Sequence, residues 1–250
     1  ASCEAFVAGS FIVHPVSIDL AMSTTPEHSL AASDLSPSLE PLERNLRALS
    51  IHSPVAARAV AASLPHPQVQ WLLAVDGGAT GVLPTESGRL LRLASLVDPI
   101  AEGEEFAGTF DPFTHAAAAV AGFACGHHVR ALLNRVGKGG MVIAFEPDVS
   151  LLRSLFEHVD LSDWLALPML RVVGEADASS VAAAATRAEA ILGLGTRLLT
   201  HLPSRLRLGE STADFDRALT ATVSAVRTNV VTTLVQCETT LRNLLQNADH

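Results

Sequence analysis

The rhythm of apolar and polar positions changes along the chain, and each change marks a segment. Residues 116–123 form a run of small and apolar residues, with glycines at Gly122 and Gly126, and the helix-like string VRALLNRVG follows. Beyond Gly137, Gly139 and Gly140 comes a second apolar run, MVIAF, ending on Glu146 and Pro147. Strand, Gly-rich turn, helix, strand and acid, in that order, predict the first βαβ unit of a doubly wound sheet. The string DVSLLRSLFEHVD then sets Val149, Leu152, Leu155, Phe156 and Val159 on one helical face, and SDWLAL reads as a short helix capped by Ser162. MLRVVGE is a third parallel strand, SVAAAATRAEAILGLG one Ala-rich helix, and TRLLTHLP a fourth strand. Residues 115–210 are therefore read as a Rossmann-like βαβ core, the alternation of an α/β fold.

Two other rhythms flank it. Residues 1–40 are expected to be a disordered lead-in, because 22–40 are rich in Ser, Thr and Pro. Residues 41–114 predict two short helices, PLERNLRALS and SPVAARAVAASL, the second capped by Ser53 with Pro54 at its first position. VQWLLAV, GVLP and GRLLRLA follow as a small antiparallel sheet, and IAEGEEFAGTF as a helix started by Asp98 and Pro99. Residues 211–250 contain neither Gly nor Pro. Their apolar stripe falls on Phe215, Leu219, Val223, Val226, Val230, Leu234, Cys237, Leu241 and Leu244, at steps of three and four. This is one long helix, too long to lie wholly on a sheet of ordinary strands. Its far end is expected to pack on a further catalytic domain of the same protein or on another copy of the chain, and the end at His250 without a cap reads as a truncation.

Composition excludes several functions. A net charge of −9, with only one Lys (Lys138) among 17 basic residues, leaves no nucleic-acid footprint. Cys3, Cys125 and Cys237 are odd in number and far apart, which fits neither a disulfide framework nor a zinc site and points to the reducing cytoplasm. No uninterrupted apolar run reaches the roughly 18 residues of a membrane span, so no membrane partner is expected.

Candidate chemistry gathers at the turn. A helix N-terminus beyond a Gly turn can hold an anionic ligand on its free N–H groups. Glu146, at the carboxyl edge of the sheet, can accept from a ribose hydroxyl. Gly122, Cys125, Gly126, His127, His128 and Glu146 are thus the candidate ligand-binding residues. Nucleotide or nucleotide-sugar is the ligand class considered, with S-adenosylmethionine as the alternative. Adjacent histidines diverge by about 100° on a helix, so His127 and His128 do not share a metal, and no metal is expected. Cys125 reads either as a thiol activated by the helix N-terminus or as a small residue buried in a tight turn. No Ser-His-Asp set, carboxylate pair or P-loop is present, and the catalytic residues are unknown.

The strings GFACGHHVRALLNRV and MVIAFEPDVSLLRSLFEHVDLSDWL resemble the Maf (MptE-like) motility-accessory family, whose N-terminal region carries a G-F-G-x-G-Y-H-like turn and an E-P-d strand end. GRLLRLASLVDPIAEGEEF is similar to that family's LHS-x-x-DP-x-x-EA segment at Leu93, Ala94, Ser95, Asp98, Pro99, Glu102 and Gly103. The chain departs from the pattern at Ala124, in place of the middle Gly, and at His127, in place of Tyr. The resemblance covers residues 42–250. It implies an N-terminal Rossmann-like region of a glycosyltransferase that modifies flagellin with nonulosonic acids, its catalytic domain lying elsewhere, with flagellin a possible partner. Two other readings compete with it: a self-contained methyltransferase using S-adenosylmethionine, and a helix-mediated oligomerisation module.

Overall fold

The computed structural model describes residues 33–85 and 88–247. Most of the expected lead-in, residues 1–32, lies outside the described residues. Regular structure begins earlier than residue 41: Ser33–Asp34 form a short strand, β1, and the first helix, α1, is Leu39–His52, capped by the Ser38 hydroxyl on the Glu40 N–H. Helix α2 is Pro54–Ala62, with Pro at its first position as expected. Ser53 stands at its N-cap as expected, but the hydroxyl makes no capping bond. Its hydroxyl instead accepts from the Val172 N–H at 2.8 Å, tying the α1–α2 corner to the sheet.

Strands β2 (Gln70–Leu73), β3 (Ala79–Pro84) and β4 (Leu90–Arg92) pair antiparallel in sequence order, with β1 added at the β2 edge. Helix α3 (Pro99–Gly108) starts on Asp98, whose carboxylate accepts from the Ala101 N–H at 2.8 Å. Then come β5 (Ala117–Ala121), α4 (His127–Val136), β6 (Met141–Phe145), α5 (Val149–His158), the short α6 (Ser162–Leu165) and β7 (Leu170–Val173). Ser162 is the first residue of α6 rather than its cap, which falls on Leu161.

The single Ala-rich helix expected next is two. Helix α7 (Ala178–Ala185) and helix α8 (Glu189–Leu194) are separated by Arg187 in a left-handed conformation, φ 70°. An L-residue there cannot continue a right-handed helix. Strand β8 is Thr196–Thr200. A helix with no counterpart in the sequence reading, α9 (Leu202–Leu208), follows, and α10 runs from Ser211 to Asn247.

Strands β7, β6, β5 and β8 form a parallel sheet in that spatial order, so the fold is the expected mixed α/β one. Side chains alternate between its two faces, and both faces are buried, as a parallel sheet under helices requires. Ala118, Val120, Val142, Ala144, Leu170, Val172 and Leu199 point into one core, with residues of α1, α2, α4, α5 and α6. Ala117, Ala119, Ala121, Met141, Ile143, Phe145 and Val173 point into the other, with α7, α8 and the first turns of α10. Phe215 of α10 stacks on Phe145 with ring centroids 4.7 Å apart. On the first face Asn45 is fully buried yet satisfied: its amide donates to the Phe156 and Val159 carbonyls and accepts from the Leu161 N–H, which locks α1 to the end of α5.

By length and composition, Ser211–Gln246 could cross a membrane, its most apolar window having a mean hydropathy of 1.2. Average hydropathy and uninterrupted runs measure different things here. The apolar residues of α10 are interspersed with Thr, Asn and Gln, so they raise the average without forming a run.

Candidate functional site

In a sheet ordered β7-β6-β5-β8 the chain winds outward from β5 through β6 to β7, then returns to the other side of β5 as β8. The crevice outside the carboxyl ends of β5 and β8 is the switch point where ligands of open α/β folds bind. The turn after β5 and the segment after β8 face each other there, and the candidate residues lie on this edge.

The turn is built on alternating left-handed residues: Gly122 at φ 100°, Ala124 at φ 46° and Gly126 at φ 84°. Ala124 stands where the Maf pattern has Gly, and it adopts a conformation that Gly adopts at less cost. Gly126 is the N-cap of α4. The N-terminus of α4 does not open onto solvent. Gly103 of α3 packs on it so closely that an added Cβ would lie 2.8 Å from the His127 carbonyl carbon and 2.9 Å from the His128 nitrogen. The N–H groups expected to meet a ligand lie under α3.

The rest of the crevice is filled by the chain's own segment 201–207. A Cβ added to Gly122 would lie 2.0 Å from the Ser204 Oγ, so Ser204 occupies the space above the turn. His201 stacks on His128, with ring centroids 3.9 Å apart and planes within 10°, and Phe106 of α3 meets both rings edge-on. His128 donates from Nε2 to the Gly122 carbonyl at 2.9 Å, and His201 Nδ1 is 2.8 Å from the Ser204 hydroxyl. His127 points the other way, donating to the Ala79 carbonyl on β3 at 2.7 Å. Burial pushes the His128 imidazole down to about 4, against a smaller upward pull from the Gly122 carbonyl. Burial, and then the charges of His128 and Arg207, hold His201 well below its ordinary value. Two imidazoles in face-to-face contact inside a protein are stable only when neutral.

Glu146 is completely buried. Its Oε2 accepts from the Phe123 N–H at 3.0 Å and from the Arg207 guanidinium at 2.5 Å, and its Oε1 accepts from the Asp148 N–H at 3.1 Å. Arg207 also lies 3.5 Å from Asp148, whose carboxylate caps α5 through the Leu151 N–H. A ribose hydroxyl at Glu146 would have to displace Arg207. Cys125 is buried, and its thiol is raised, first by burial and then by the charge of Glu102; it is the small buried residue of the two readings, not an activated thiol. Among the described residues no group of three or more His, Cys, Asp or Glu is placed to hold a metal.

The structure thus brings Gly122, Cys125, Gly126, His128 and Glu146 to one sheet edge and sends the His127 ring to the antiparallel sheet. Sequence reading missed their partners: Phe106, His201, Ser204 and Arg207. One local signal was present. HLPSRLRLG has Pro in a first helical turn, Arg205 and Arg207 in the last, and Gly209 at the C-cap, the asymmetry of a short helix.

Two shallow surface concavities lie elsewhere. One, of about 450 Å³, is bounded by α1 and α2 around Leu46, Arg47, Ala57 and Arg58. The other, of about 260 Å³, lies where α10 leaves α8, around Glu189, Val226 and Val230.

Comparison of the sequence with known protein families and with curated proteins finds no match. Among solved structures the fold is similar to that of a Maf glycosyltransferase from Magnetospirillum magneticum AMB-1, at 14% sequence identity and a TM-score of 0.43, over 72% of this chain. The chain spans 35% of that protein's length.

Proposed function

We propose that this chain is a non-catalytic Rossmann-like module at the N-terminal side of a Maf-like glycosyltransferase, acting in the cytoplasm on flagellin or another protein acceptor. The observation that carries the non-catalytic part is the occupied crevice: Ser204 on Gly122, His201 on His128, Arg207 on Glu146 and Gly103 over the α4 N-terminus. A fold whose ligand edge is closed by its own side chains is suited to hold and present other elements rather than to bind a nucleotide. The Maf-like part rests on the order of the sequence motifs at Asp98–Pro99, the 122–128 turn and Glu146–Pro147. Cytoplasmic placement is supported by the free thiols among the described residues, buried Cys125 and exposed Cys237.

Titration calorimetry with nucleoside mono- and diphosphates and with S-adenosylmethionine at millimolar ligand tests the reading, and no heat of binding is expected. Binding that Glu146→Ala abolishes would replace the proposal with a ligand-binding one. The methyltransferase reading would return if S-adenosylmethionine alone bound. Transfer of a sugar to flagellin by the isolated chain would also overturn it.

A further inference from the structure

Helix α10 has two halves. From Phe215 to Val226 its apolar residues are buried against α7 and α8, at steps of four, four and three. The same row continues without a break through Val230, Leu234, Cys237, Leu241 and Leu244, now exposed: Val230 by 41%, Leu234 by 65%, Leu241 and Leu244 by 61% each. Here the steps become four, three, four, three, the heptad spacing of a helix seam that faces another helix. Val231 and Leu245, also exposed, widen it on one side.

The surroundings of this seam say what kind of partner fits. On the far side of the helix residues 228, 232, 236, 239, 243 and 246 are all Thr, Asn or Gln, and Asn229, Thr233 and Thr240 flank one edge of the seam. The charges in this half are Glu238 and Arg242, paired with each other at 2.7 Å, and Arg227 at its start. A surface-lying membrane helix carries Lys and Arg along its polar face, and this one does not. A partner chosen by charge would need an unpaired charge to read, and the seam between Val230 and Leu244 presents none. A neutral apolar heptad row is complementary to itself.

We infer that residues 230–245 form a two-fold antiparallel helix pair with a second copy of this chain. In the antiparallel register that sets Val230 against the partner's Leu241 and Leu234 against the partner's Cys237, each Leu244 falls at the level of the other chain's Arg227. That is where α10 leaves α8 and where the 260 Å³ notch lined by Glu189, Val226, Asn229, Val230, Thr233 and Leu234 lies. Leu244 and Leu245 of each copy enter the notch of the other, so one symmetric contact fills both notches and covers the row that continues the α10 interface with α7 and α8. A parallel pair would leave the notches open and stack Arg227 on Arg227. The inference is independent of the crevice, and nucleotide binding by the chain would leave it standing.

Sedimentation equilibrium of the whole chain tests it. The expected mass is twice 26.2 kDa at tens of micromolar. Leu234→Asp combined with Leu241→Asp should weaken association at least about tenfold, as loss of central apolar anchors does, while circular dichroism and melting temperature, measured at concentrations where the parent is a single chain, stay those of the parent. Both residues are exposed in the single chain, so folding does not depend on them. A parent chain that sediments as a monomer overturns the inference, as does a dimer that survives the double substitution. Binding of the monomeric parent to vesicles of mixed neutral and anionic lipid, lost in the same variant, would assign the seam to a membrane surface instead.

Discussion

Arg207 and Glu146 are worth more as a pair than either is alone. Glu146 is fully buried, and two backbone N–H groups and one guanidinium share its oxygens. Arg207→Ala would leave a buried carboxylate with its counter-charge gone, a change that costs about 3–5 kcal/mol. Glu146→Gln together with Arg207→Met removes both charges and should be much closer to the parent. Urea denaturation of the three proteins decides it, and a single substitution as mild as the double would mean that Arg207 does not close the site in solution. The stacked imidazoles make a second test at this scale. An unfolded His titrates near 6.5, whereas folded His128 is pushed down to about 4, so the unfolded chain binds more protons between those values. Stability from this residue is complete above pH 6.5 and is lost as the pH falls toward 4, by about 3 kcal/mol in all. His201 acts in the same direction, held down by burial and then by the charges of His128 and Arg207. Denaturation midpoints at pH 7.5, 5.5 and 4.5 should show this slope, and His128→Phe, which keeps a ring against Phe106, should flatten it. An unchanged slope in that variant would place the acid sensitivity elsewhere.

At the scale of elements, the closed edge depends on two glycines that allow close approach. A Cβ at 103 would meet the α4 backbone rather than a side chain that could turn away. Gly103→Ala should push α3 off α4 and cost roughly 1–3 kcal/mol, the range for overpacking a tight contact. Gly122→Ala should cost more, because the residue sits at φ 100° and its Cβ would meet Ser204 at 2.0 Å. Amide hydrogen exchange would show that substitution releasing α9, with protection lost over residues 202–208 and kept in β5 and β6; equal loss throughout would mean that the edge and sheet open as one unit. These contacts explain what was and was not legible in the sequence. MVIAF could be read as a strand because five consecutive apolar residues between turn signals have few alternatives. The split between α7 and α8 was not, since Ala-rich flanks hide a single left-handed Arg187. Helix α9 is masked, because TRLLTHLP reads as one strand ended by Pro203, whereas Pro203 sits in the first turn of a helix. That Arg207 then reaches Glu146, 61 residues back in the chain, is tertiary information with no local trace.

At the scale of the molecule, α10 is a core element in its first half, as far as Val226, and a projecting rod thereafter. The stripe predicted from the sequence is continuous from Phe215 to Leu244, and periodicity alone could not show where burial stops. It stops at Val226: residues 227–246 are all exposed. Two substitutions of the same apolar kind should therefore differ widely. Phe215→Ala removes a fully buried ring stacked on Phe145 and should cost about 3–5 kcal/mol. Ending the chain after Arg227 removes the helical residues 228–247 and should leave the unfolding free energy of the domain within about 0.5 kcal/mol, as changes to exposed positions do, once measured at concentrations where the parent is a single chain. If the shortened protein were instead destabilised as much as Phe215→Ala, the projecting half would be folding back onto the domain in solution. Its apolar row would then be spent within the chain, and neither a second copy nor any other partner would be needed to cover it.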